Sequence, residues 1–160
     1  MCLILDTNRF GDALSDPPAP AYVPLLRWLT DPDGDGALVF GGTKYRREID
    51  KLEKARLFFV NRCRAGRAYL VDQGIVDTEE ARLCAAKACT SDDEHVVALA
   101  RMSGARIVCT EDRALWRDVR DKKLLDRPRG RVYRTARHKS LLHHDPACRK
   151  PTKNKGTSKK

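Results

Sequence analysis

Apolar residues follow two alternating rhythms along the chain: short unbroken runs, and longer stretches where they recur every three or four positions. The unbroken runs are CLIL at 2–5, ALVF at 37–40, AYLV at 68–71 and RIVCT at 106–110, with a more mixed GRVYR at 130–134. Runs this short with no polar alternation predict strands covered on both faces. The three-to-four spacing between them predicts helices. AYVPLLRWL at 21–29 is one, with Pro24 in its first turn, where the missing N–H costs nothing. A long amphipathic helix is expected from about Lys44 to Arg64, striped by Tyr45, Ile49, Leu52, Phe59 and Cys63. DTEEARLCAAKAC at 77–89, DEHVVALARMSGA at 93–105, stopped by Gly104, and EDRALWRDVRDKKLL at 111–125 complete the set. DPDGDG at 31–36 is turn chemistry. Strands alternating with helices predict an α/β fold, a short parallel β-sheet flanked by helices.

That pattern gives the acidic residues a place. Ligands of open parallel sheets bind beyond the carboxyl ends of the strands. Asp6 directly follows CLIL, and Asp112 follows RIVCT by one residue. SDDEHVVALA at 91–100 sets Asp92 and Asp93 at the start of the helix preceding that strand. A capping box of Ser91 and Glu94, with the general preference for acids in a first turn, accounts for one carboxylate. It does not account for three acidic positions on one rim. Two carboxylates about 4 Å apart repel by roughly 4 kcal/mol at an effective dielectric near 20. Such a cluster either raises its own pKa values or holds a cation. Oxygen ligands without Cys or His suit Mg²⁺ or Mn²⁺, which can activate water against a phosphate.

Composition adds a second clue. The 160 residues carry a net charge of +10, unevenly spread. Residues 1–112 hold 15 basic and 18 acidic groups, a net of −3; residues 113–160 hold 17 and 4, a net of +13. This polarity suits a polyanion, whose counterions Lys and Arg displace. Arg113, Arg117 and Arg134, with Lys150, Lys153 and Lys155, are the candidate nucleic-acid contacts. The chain divides into one domain over 1–145 and a basic tail over 146–160, expected to be disordered because it has little to bury. No apolar run is long enough to span a bilayer, and MCLILDTN has neither the basic start nor the length of a signal peptide. A cytoplasmic protein without a membrane partner is therefore expected. The six cysteines form no C-x-x-C pair, and most are expected to be buried thiols.

Taken in order, ILDTN at 4–8, a helical acid in YRREI at 45–49, DDEHVVALA at 92–100 and CTEDRAL at 109–115 resemble the PIN domain nucleases. The match runs from residue 1 to about 135. The resemblance implies a three-layer α/β/α fold and a metal-dependent endoribonuclease hydrolysing single-stranded RNA. Asp6, Glu48, Asp93 and Asp112 would hold Mg²⁺ or Mn²⁺. Asn8 or Thr7 would support Asp6, Thr110 would cap the last helix and orient the site, and Asp92 would assist. Asp50 and Glu53 are the surface-charge alternatives to Glu48; for Asp92 and Glu111 the alternative is favourable charge at a helix start. Many relatives are toxins silenced by an antitoxin, so RNA and a regulatory protein are the implied partners; homodimers are common among relatives. A non-catalytic RNA-binding module of the same fold is the alternative. A phosphohydrolase using Asp6 is weaker, because LDTN lacks the second aspartate of a D-x-D pair.

Other signals carry less. His138, His143, His144 and Cys148 are zinc-ligand types without a common four-ligand spacing, and a short surface helix is the simpler reading. His95 is expected to pack against the core, with a general acid as the alternative. FGGTK at 40–44 is too short to cradle phosphates and is expected to let a strand turn into a helix. Trp28 and Trp116 read as core.

Overall fold

A computed structural model describes residues 2–143 of the chain. Strand β1 (Cys2–Leu5) runs into a 3-10 turn (Thr7–Arg9) and the short helix α1 (Phe10–Ala13). Helix α2 (Val23–Thr30), β2 (Ala37–Gly41), α3 (Thr43–Asp50), α4 (Glu53–Arg64) and β3 (Ala68–Val71) follow. Then come α5 (Gln73–Ala85), α6 (Glu94–Ser103), β4 (Ile107–Cys109), α7 (Arg113–Arg120), β5 (Arg131–Tyr133) and a 3-10 helix (Ala136–His143). The five strands form one sheet in the order β3-β2-β1-β4-β5, and every neighbouring pair is parallel. The expected α/β architecture, a parallel sheet flanked by helices in three layers, is present.

The sheet's centre explains its apolar runs. All four residues of β1 and all three of β4 are buried. They pair directly, Leu3 with Ile107 through Leu5 with Cys109. The chain builds β2 and β3 outward on one side of β1, then crosses back to add β4 and β5 on the other. The junction of β1 and β4 is therefore where the connections change direction, and the carboxyl ends of such strands are where ligands of open parallel sheets bind.

Several expected elements differ in detail. The single helix over 44–64 is two, parted at Lys51 and Leu52, where Leu52 is extended at φ −122° and ψ 110°. The phase of the apolar residues explains the break. Tyr45 and Ile49 share one face, but a straight continuation would turn Arg56 inward; the break leaves Arg56 exposed and lets Ala55 join Phe59 inside. Cys63, placed on the stripe by sequence, is exposed. Helix α5 begins at residue 73 rather than 77 and ends at 85 rather than 89. Asp72 caps it by accepting from the Ile75 N–H at 3.1 Å, so Asp77, Glu79 and Glu80 lie within the helix. Helices α6 and α7 cover 94–103 and 113–120, shorter than expected; Gly104, at φ 79°, stops α6 as its place in the sequence implied. Gly42, at φ 79°, turns β2 into α3, and a Cβ there would come within 2.6 Å of Val76. The 3-10 helix over Ala136–His143 answers to the short surface helix expected there.

The thiols differ more. Cys2 is disulfide-bonded. Among the described free cysteines only Cys109 is buried, while Cys63 and Cys84 are exposed, because they fall on the outer faces of α4 and α5. No described helix is long and apolar enough to cross a membrane. The basic tail, with Lys150, Lys153 and Lys155, and the residues His144 and Cys148, lie outside the described residues.

Candidate functional site

Strand register starts the site. Asp6 and Thr110 each follow the last residue of β1 and β4, and the Asp6 N–H donates to the Cys109 carbonyl at 2.9 Å. That places Asp6 at the carboxyl end of β1, against the end of β4. It is 2 % exposed. One carboxylate oxygen accepts from Thr110 Oγ1 at 2.7 Å, the other from the Asn8 backbone N–H at 3.1 Å. Burial raises the Asp6 pKa above its ordinary value and Glu48 adds to the rise, against the lowering effect of these hydrogen bonds and of Arg9.

Thr110 joins two of the predicted acids. Its hydroxyl donates to Asp6 and accepts from the Asp112 N–H at 3.0 Å. The cap of α7 is Asp112, not Thr110: Asp112 Oδ1 accepts from the Leu115 N–H at 2.7 Å. A charged side chain caps better than a hydroxyl already committed to Asp6.

Glu48 arrives from α3 through an aromatic anchor. Tyr45 is fully buried in an edge-to-face cluster with Phe10 and Phe59, and its hydroxyl donates to the Leu5 carbonyl at the end of β1. Glu48, three residues later on the same helical face, thereby meets the loop after β1. It accepts from Thr7 Oγ1 at 2.7 Å. Thr7 therefore supports Glu48, while Asn8 supports Asp6 through its backbone and not its amide. Asp50 and Glu53 are exposed, as the surface-charge reading has it.

Asp93 is the acid most altered by its surroundings. Its pKa is raised to about 6, chiefly by burial and then by Asp6, Asp92 and Asp112, with Lys44 opposing. It occupies the cap of α6 without making a side-chain cap bond, so its carboxylate is not spent on the helix. The expected Ser91–Glu94 capping box is absent because Asp118 of α7 claims Ser91. Buried Asp118 accepts from the Thr90 N–H, the Ser91 N–H and Ser91 Oγ at 2.7, 2.8 and 2.7 Å. Asp92 also precedes the helix, so helical spacing does not separate it from Asp93. It is exposed, and its carbonyl accepts from Lys44 Nζ at 2.9 Å. Glu111 points elsewhere, to Arg9 at 2.9 Å.

Sequence reasoning passed over Asp118 and Lys44; only the i,i+4 relation of Lys44 to Glu48 hinted at the latter. His95 is buried as expected, yet neither ring nitrogen makes a hydrogen bond. Its Nε2 lies 3.3 Å from Glu48 Oε2 and its Nδ1 3.9 Å from Asp93 Oδ1. Burial, then Lys44, lowers its pKa to about 4 against the pull of Glu48. The imidazole is thus neutral at pH 7 and set between two of the acids. On the far side of Glu48 a groove of about 450 Å³ opens, lined by Lys44, Arg47 and Glu48 of α3, Lys51 just after it, and Asp77 and Glu80 of α5.

The donor set is chemically apt for a hard divalent cation: oxygen ligands, mutual repulsion felt at Asp93, and an unbonded imidazole behind them. Among the described residues, however, no three His, Cys, Asp or Glu side chains stand close enough together to hold an ion in their present rotamers. Comparison with protein-family profiles, curated proteins and solved structures yields no match.

Proposed function

We propose that the chain is a metal-dependent ribonuclease of the PIN type that hydrolyses phosphodiester bonds of single-stranded RNA. The observation that carries this reading is geometric: at the strand ends where the sheet changes direction, the Thr110 hydroxyl joins Asp6 to the Asp112 N–H, and Thr7, next to Asp6, holds Glu48. Asp6, Glu48, Asp93 and Asp112 would hold Mg²⁺ or Mn²⁺. Such an ion supplies a water of lowered pKa and neutralises charge on the phosphate. The chain's own residues do the rest. Thr110 and the Asn8 N–H fix both oxygens of Asp6, Thr7 fixes Glu48, and Lys44 lies beside the acids where a phosphate would approach. An antitoxin or other regulatory protein covering this rim would silence the enzyme.

The second reading, an RNA-binding module without catalysis, is favoured by one observation: no ready-made three-ligand cluster among the described residues. Cleavage of a mixed single-stranded RNA by the pure protein separates the two. Partners one shell removed from a metal are typically worth ~10–100-fold. Loss of a ligand should exceed that, so cutting in Mn²⁺ is expected to fall by more than ~100-fold in Asp93→Asn and to vanish in EDTA. RNA binding with no cutting in any metal would transfer the protein to the second reading.

A further inference from the structure

Trp116, expected in the core, packs against it and also forms the floor of an arginine-lined groove. It is half-buried, with the Arg134 guanidinium 4.6 Å from its ring centroid and that of Arg120 at 5.6 Å. Two adjoining hollows, of about 510 and 810 Å³, meet at this ring. Their walls carry Arg113, Arg117 and Arg120 from α7, Arg129 and Arg131 from the turn into β5, and Arg134 just beyond it. Against these six cations one carboxylate lines the walls, that of Asp121. Among the described residues, none of the six is salt-bridged to an acid, and the buried Nε of Arg134 has no hydrogen-bond partner.

Five of the six are exposed and Arg134 is half-buried, so the groove presents an uncompensated positive face that attracts anions. Helical spacing sets the shape of the anion. Arg113, Arg117 and Arg120 lie on one face of α7 over roughly 10 Å, at 1.5 Å per residue. That length exceeds a single phosphate and suits a chain of them. Guanidinium forks bind phosphate oxygens in pairs, and two of the forks lie over the indole face. The row also has a direction: it begins at Arg113, the residue after Asp112.

We propose that this groove is a track for the backbone of single-stranded RNA, seating the nucleotides that flank the acidic rim on the α7 side. The identity of the polymer rests on the ribonuclease reading; the polyanion track does not.

The test uses the full chain in EDTA, so that binding is read without cutting. Fluorescein-labelled rU12 is titrated at several salt concentrations into wild type, Arg113→Gln/Arg117→Gln/Arg120→Gln, and a control of equal charge loss on α4, Lys54→Gln/Arg56→Gln/Arg64→Gln. Each phosphate contact on a single strand adds about 0.7 to the log–log salt slope. The groove variant should flatten the slope by about 2 and weaken binding at least ~10-fold, while the control leaves the slope in place. Binding should quench indole fluorescence, and Trp116→Phe should lose that quench while keeping most of the affinity. Equal effects from groove and control variants would overturn the track. So would a polyglutamate probe that binds the groove as tightly as rU12, which would make it a site for an acidic protein. A groove-dependent slope without any metal-dependent cutting would leave the track standing and remove the ribonuclease.

Discussion

Asp93 and His95 sit two residues apart and titrate in opposing senses. The Asp93 carboxyl is raised to about 6 on folding, so between about pH 4 and 6 the folded chain binds more protons than the unfolded one. Its contribution to stability therefore falls as pH rises through that window. His95, lowered to about 4, makes the unfolded chain take up a proton first on acidification, and its contribution rises with pH between about 4 and 6.5. In the wild type the two slopes oppose each other, so a single variant is needed to expose either. Asp93→Asn should be more stable than wild type at pH 7 by about 1–3 kcal/mol, with the advantage gone below about pH 4. Urea unfolding at pH 4 and pH 7 checks this; an equal difference at both would mean that Asp93 is not crowded. Asp6, Asp93 and Asp112 were legible as a group because each follows an apolar run that reads as a buried strand, or stands at the start of a helix, whereas Glu48, inside α3, was singled out only by the resemblance. The supports of these acids were not legible. Thr7 and Asn8 are adjacent in sequence, and only the 3-10 turn after β1 sends one to Glu48 and the other's N–H to Asp6.

At the scale of elements, the rim is held by contacts between segments that sequence cannot pair. Asp118 lies midway along α7 among charged residues and looks like surface, yet it is buried and ties down the loop that delivers Asp93. Asp118→Ala would leave two backbone N–H groups and a hydroxyl of that loop unpaired. Thr90 is exposed, so its N–H can turn to water; at about 1–3 kcal/mol for each of the two buried Ser91 groups, a loss of at least about 2 kcal/mol is expected in urea unfolding. A loss below about 1 kcal/mol would mean that the loop is held by other contacts. Gly42 is a second such joint. Its left-handed backbone and the 2.6 Å approach of a Cβ to Val76 predict that Gly42→Ala costs about 2 kcal/mol, read in the same measurement. Strand positions were legible to within a residue or two because burial on both faces leaves no polar alternation to misread. The break between α3 and α4 was not, since Leu52 and Phe59 both fit the stripe of one straight helix, which only the inward Ala55 and the outward Arg56 contradict. The offset between the two faces shows once Tyr45 and Ile49 are fixed against β1.

Across the whole molecule, the carboxylate rim and the arginine groove meet at the start of α7, where Asp112 and Arg113 are consecutive. Opposite charges gathered this closely would ordinarily pair, yet among the described residues neither Asp93 nor Asp112 has a Lys or Arg salt bridge. The rim keeps its negative charge, and the stability lost to that repulsion is what a divalent cation would restore. Binding only to the folded state stabilises by RT ln(1 + [L]/Kd), about 2.7 kcal/mol when the ion is at 100 times its Kd. For a chain of this length that is a Tm rise of roughly 5–10 °C. Millimolar Mn²⁺ should therefore raise the Tm of the wild type by several degrees and leave that of Asp6→Asn almost unchanged. The unliganded Asp6→Asn variant should itself melt no lower than wild type, because the change removes a buried charge. Mn²⁺ that stabilises both proteins equally would bind away from the rim. Mn²⁺ that stabilises neither would leave the four carboxylates without the ion that the ribonuclease requires, and the RNA-binding module would then be the better account of the fold, the rim and the groove together.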